Sequence, residues 1–217
     1  MFVHCDGRVS AQYLQVCTEN GCSVDSGISV GDQLEVTKEY FEKAYECIYE
    51  IGIKIAHVIW RRQCPEQLVK SDDNINKITY GLIENAEYDL AIRLLDFFAK
   101  MKKHSDETMR RTMVVNRAQA YKWATDKEKC QEILNAEDWS ACEDKFKLCV
   151  AVLREDFTAA YRCMKKLKED GEFHRVHYKD WPIFQELRRQ PDFSAVYVEC
   201  YGEPFTTEKT TAQEPKG

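Results

Sequence analysis

Apolar residues along most of this chain recur at spacings of three and four, the period of an amphipathic helix rather than of a strand. The longest run opens at Thr37. Phe41, Ala44, Ile48, Ile51, Ile55 and Val58 keep the period, and Tyr45, Ile59 and Trp60 widen the apolar face. The pattern predicts a helix over Thr37–Gln63, roughly 40 Å long. Arg61 and Arg62 suit the negative end of its dipole, and Pro65 ends it. Gly52 within it costs up to about 1 kcal/mol relative to alanine, so packing is expected to require a small residue there.

Shorter segments follow in pairs. Ser71 and Asp72 are expected to cap a helix through Ile75, Ile78 and Leu82, which turns at 84–87 into one carrying Leu90, Ala91, Leu94, Leu95 and Phe98. Ser105 and Asp106 cap a helix with Met113, Val114, Ala118 and Tyr121, and Thr125 and Asp126 start its partner with Cys130 and Leu134. Ser140 followed by Glu143 has the form of a capping box. It precedes Phe146, Cys149, Val150 and Leu153. A turn at Glu155–Asp156 leads to Phe157, Ala160, Met164 and Leu167, with Gly171 as the expected stop.

Three such pairs put Ala91, Cys130 and Ala160 in equivalent small-residue positions, with Leu95, Leu134 and Met164 four residues on. The separations of 39 and 30 residues average close to the 34-residue period of the tetratricopeptide repeat. On these slots the chain resembles that family over residues 74–168, without the family's Trp-Leu-Gly opening. The Trp181-Pro-Ile-Phe184 phrase and Pro191-Asp-Phe193 look like the closing helices of bacterial arrays of this kind. The resemblance implies an all-α fold of antiparallel hairpins stacked as a right-handed α-solenoid. Residues 37–202 are expected to form the array and its capping helices. Residues 1–36 read as an irregular segment with a short helix capped by Ser10, and 203–217 as a disordered tail.

Ten cysteines in 217 residues, with most of them inside helical patterns, read as small hydrophobes in a reducing, cytoplasmic setting. Residues 1–10 lack a basic stretch followed by an apolar run, and no apolar segment is long enough for a membrane span. The net charge of −6 argues against nonspecific nucleic-acid binding.

Candidate chemistry is sparse. No phosphate loop, nucleophile elbow or zinc-protease motif is present, so no catalytic residue, metal or cofactor is assigned. In repeat proteins of this family that hold a peptide carboxylate, an asparagine precedes the small residue and tyrosine as Asn116 precedes Ala118 and Tyr121. The other reading has Asn116 bridging helices within the array. The resemblance makes Asn116, Arg117, Gln119, Lys77 and Tyr80 candidates to line a groove for a partner's peptide or helix. His174 with His177, and His4 with Cys5, Cys17 and Cys22, are the nearest approaches to a metal set, and both fall short of diagnostic ligand spacing.

The expected function is therefore a noncatalytic protein–protein interaction module. A second reading makes the chain an accessory or regulatory subunit of an enzyme or signalling complex, with a structural metal near its N-terminus. A third uses the basic pairs Arg61–Arg62, Lys102–Lys103, Arg110–Arg111 and Lys165–Lys166 to bind RNA. The long helix could also support a homodimer.

Overall fold

A computed structural model describes residues 7–22, 24, 27–170 and 173–206. Among them the chain is all-helical, with eleven α-helices and one isolated β-bridge. It divides into two compact units, residues 1–51 and 52–217.

The first unit holds α1 (Ala11–Glu19) and the start of α2 (Lys38–Gln63). Ser10 caps α1 by accepting from the Tyr13 N–H at 3.1 Å, as its sequence suggests. The flanking segments touch through the Arg8–Gln33 bridge, and Val9 is buried there. Thr37 caps α2, its hydroxyl accepting from the Tyr40 N–H at 3.1 Å.

The second unit contains the end of α2, then α3 (Leu68–Glu84), α4 (Tyr88–Phe98), α5 (Glu107–Trp123), α6 (Lys127–Asn135), α7 (Asp144–Leu153) and α8 (Phe157–Asp170). Helices α3 and α4, α5 and α6, and α7 and α8 pack on one another, and α5 also contacts α3, α4 and α7. Ala91, Cys130 and Ala160 are each fully buried. The three intra-pair turns share one geometry. Ala86, Thr125 and Glu155 adopt left-handed backbone with φ of 61°, 71° and 60°. At each, the next N–H reaches back to a carbonyl five residues earlier: Glu87 to Leu82, Asp126 to Tyr121 and Asp156 to Ala151, all at 2.9 Å. This is a Schellman closure, which satisfies the last carbonyls of the first helix.

Two expected helix starts are corrected. Helix α3 begins at Leu68, directly after a 3₁₀ turn at Pro65–Gln67, so Ser71 and Asp72 lie inside it and are fully buried. They serve tertiary contacts with the end of α2. His57 lies 2.9 Å from the Ser71 hydroxyl and 3.1 Å from Asn74 Oδ1. Arg61 pairs with Asp72, donates to Ser71 at 3.1 Å and stands over the Phe98 ring. Ser140 is likewise no cap: α7 starts after Glu143, and the Ser140 N–H is bound by Asp138 at 2.9 Å.

The end of the chain covers the third pair. Helix α9 (His177–Asp180) leads to a 3₁₀ turn at Pro182–Phe184 that packs on α7. After α10 (Gln185–Arg188), α11 (Phe193–Tyr201) packs on α8. Phe205 joins this aromatic cluster, 5.0 Å from the Phe193 ring and 5.1 Å from that of Tyr197, so the packed part reaches beyond residue 202. The expectations for Gly171, for His4 and Cys5, and for the tail from 207 lie outside the described residues. No helix among the described residues is long and apolar enough to cross a membrane.

Candidate functional site

The first helices of the three pairs turn matching faces to a common cavity of about 430 Å³. Helix α3 contributes Asn76 and Tyr80, one turn apart. Helix α5 contributes Thr108, Thr112, Val115, Asn116 and Gln119, again at spacings of three and four. Helix α7 adds Lys145, Phe146 and Cys149, and Trp181, Pro182 and Ile183 complete the lining. The size is that of a pocket for a large side chain or a small ligand.

Its walls are mainly apolar with polar groups at fixed places. Trp181 stacks on His177 at 4.3 Å and on Phe184 at 6.0 Å, and its carbonyl accepts from Arg188 at 3.1 Å. Lys145 stands 5.5 Å from the Phe146 ring and pairs with Glu143 at 2.5 Å. Burial pushes the Cys149 thiol up to about 12, so it is protonated at neutral pH and forms apolar wall. Burial, with the Glu84 carboxylate beside it, also raises Tyr80 well above the ordinary phenol value.

Three amides line the groove, Asn76, Asn116 and Gln119. Asn116 donates to Asn76 Oδ1 at 2.8 Å, tying α5 to α3. Gln119 is 2 % exposed, and its Nε2 has no hydrogen-bond partner among the described residues. A buried donor in that state costs about 1–3 kcal/mol unless something accepts from it.

Of the five candidate residues, Asn116, Gln119 and Tyr80 meet in this groove. Arg117 and Lys77 do not line it. Arg117 pairs with Asp96 of α4 at 2.6 Å, beside the Tyr121 hydroxyl that donates to the same carboxylate at 2.8 Å. Lys77 is exposed on α3. Each follows a groove asparagine by one position, and one step along a helix turns a side chain through about 100°. The α7 face and the Trp181 turn complete the site without having been singled out. Phe146 and Cys149 carried a helical period that fits core as well as groove.

The remaining constellations are occupied differently. His174 and His177 lie 5.8 Å apart ring to ring, and no cluster of three potential metal ligands occurs among the described residues. Several basic pairs are held by carboxylates. Arg110 binds Glu107 at 2.8 Å and Glu137 at 2.6 Å, Arg111 binds Glu107 at 2.8 Å, and together they hold the Glu107 carboxyl down to about 2. Lys165 and Lys166 pair with Glu199 and Asp144 at 2.8 and 2.7 Å.

Compared with known proteins, the chain matches no family model, no curated protein and no solved structure.

Proposed function

We propose that the chain is a noncatalytic interaction module, a tetratricopeptide-like right-handed solenoid of three hairpins whose groove holds a peptide or helix from a partner protein. The recurrence of one turn at Ala86, Thr125 and Glu155 supports the repeat reading, because its separations of 39 and 30 residues equal those of Ala91, Cys130 and Ala160. The observation that carries the binding reading is Gln119. Gln119, with a buried Nε2 that has no hydrogen-bond partner among the described residues, lines a cavity with apolar walls, which suits an apolar side chain bearing or flanked by a hydrogen-bond acceptor. A peptide backbone supplies both.

Panning random displayed peptides against the whole chain tests this. The expected outcome is enrichment of sequences with a large apolar anchor. Their affinity should fall about tenfold or more when Thr112→Trp fills the groove, and by a similar factor in Gln119→Leu. Enriched peptides that bind both variants as tightly as the parent chain would overturn the assignment.

A further inference from the structure

The chain leaves α1 through the same backbone closure that ends α3, α5 and α7. Gly21 takes the left-handed conformation, with φ 67°. Its N–H reaches the Thr18 carbonyl at 3.2 Å, and the Cys22 N–H reaches the Cys17 carbonyl at 2.8 Å. A closure of this kind brings the side chains of the two residues it joins against one another. At the other three helices those two places hold Leu82 and Glu87, Tyr121 and Asp126, and Ala151 and Asp156. At α1 both hold cysteine.

The backbone bond fixes how far apart the two cysteines can be. With ordinary bond lengths, a 2.8 Å contact from Cys22 N to Cys17 O keeps their α-carbons within about 6.7 Å. Disulfides span about 4.4–6.8 Å between α-carbons. The chain therefore holds this pair at bridging separation while both thiols are free. Tyr13, one turn before Cys17, reports on the same neighbourhood. A hydrogen bond with the Cys17 thiol, then burial and the nearby Cys22, raise it above the ordinary phenol value.

The two thiols differ in access. Cys22 is exposed, whereas Cys17 is the buried residue of α1. An exposed thiol that reacts first, beside a sheltered one that resolves the product, is the arrangement of a redox-responsive pair.

We propose that Cys17 and Cys22 are a reversible dithiol–disulfide pair, a modification site in the first unit that reacts with low-molecular-weight disulfides such as glutathione disulfide. The Cys22 thiolate attacks one sulfur of glutathione disulfide, forms a mixed disulfide and expels one glutathione thiolate. Cys17 gives up its proton, attacks the Cys22 sulfur and expels the second glutathione. Two electrons and two protons pass from the cysteines to the small disulfide, and a dithiol reductant reverses the exchange. The new bond closes a ring of six residues over the end of α1 and withdraws the exposed thiol from further attack.

Equilibrating the full chain with oxidised and reduced glutathione, then blocking free thiols, tests this. Trypsin and a glutamate-specific protease cut after Arg8, Glu19 and Glu35, which separates Cys17 from Cys22 and both from Cys5. Mass spectrometry is expected to find fragments 9–19 and 20–35 joined until a reductant is added. Cys17→Ser should stop the reaction at the Cys22–glutathione mixed disulfide, and Cys22→Ser should leave Cys17 unmodified. A side chain at position 21 meets nothing within 4 Å, so Gly21→Val strains only the backbone closure. It should lower the equilibrium ratio of disulfide to dithiol about tenfold, with the helical circular-dichroism signal kept. Cys22 held as the glutathione adduct in the parent chain, bonded to Cys5 instead, or left unoxidised at millimolar glutathione disulfide would overturn the proposal. So would a Gly21→Val chain that oxidises as fully as the parent.

Discussion

Asn116 on α5 donates its amide N–H to the amide oxygen of Asn76 on α3 across 2.8 Å, within the wall of the groove. Asn76 is half-buried, so water can replace the lost donor in Asn116→Ala. The expected loss is about 1 kcal/mol, the net worth of an ordinary hydrogen bond. Asn116→Asp sets a carboxylate against the same oxygen and should cost more, about 1–3 kcal/mol. Urea denaturation of both variants measures the difference, and equal losses would show that the bond contributes nothing specific.

Lys122 is a buried cation whose partners come from distant parts of the chain. Its ammonium lies 2.5 Å from Glu186 and 3.3 Å from Glu155, and donates to the Val152 carbonyl at 3.4 Å. Removing one member of such a set should cost more than removing the charge altogether. Glu186→Ala is expected to destabilise by about 3 kcal/mol, and Lys122→Met combined with Glu186→Leu by clearly less. A double variant as damaged as the single one would contradict this account.

Stability should fall with acid before the carboxylates titrate. Burial lowers the imidazole pKa of His57, His104 and His177 below the ordinary histidine value. The neutral form is therefore favoured in the folded chain. The contribution is full above the unfolded value of about 6.5 and is lost as the pH falls from there through the depressed folded values. Urea midpoints are expected to be lower at pH 5.5 than at pH 7.5. Replacing His57 with Gln should shrink that difference, and an unchanged pH dependence would remove His57 from it.

Thr125 is an exposed, β-branched residue held at φ 71°. Left-handed backbone costs such a residue roughly 1–2 kcal/mol that glycine avoids. Thr125→Gly should raise the melting temperature, with a gain of about 1 kcal/mol after the extra entropy of glycine in the unfolded chain. The same change at Glu155 should gain less, because it also removes the carboxylate that pairs with Lys127 at 2.8 Å. Differential scanning calorimetry of the two variants separates the effects.

The helical period made the interiors of the pairs legible. Leu90, Ala91, Leu94, Leu95 and Phe98 all face inward on α4. Asp106 and Asp126 cap α5 and α6 by accepting from Met109 and Lys129. The helix starts placed at Ser71 and Ser140 were misleading because a capping signal is local, while these residues answer to distant or turn partners. Ser71 serves His57 and Arg61 from the preceding helix, and no local window contains that use. The α2 stripe had the same period as a core helix, and periodicity alone cannot tell which surface an apolar face will meet. In the groove, the spacing of Asn116 before Ala118 and Tyr121 is readable from the sequence, whereas the Trp181 turn joins the cavity lining only through the way the chain folds back.

The turn at Pro182–Phe184 is made late and lies against α7, where it both packs on the helical pairs and lines the groove. During synthesis the cavity therefore lacks part of its wall until the ribosome has released this stretch, some sixty residues after Gln119. A truncated product would have neither a finished core nor a finished pocket. Quality control that senses exposed apolar surface would thereby also remove chains with an unfinished cavity.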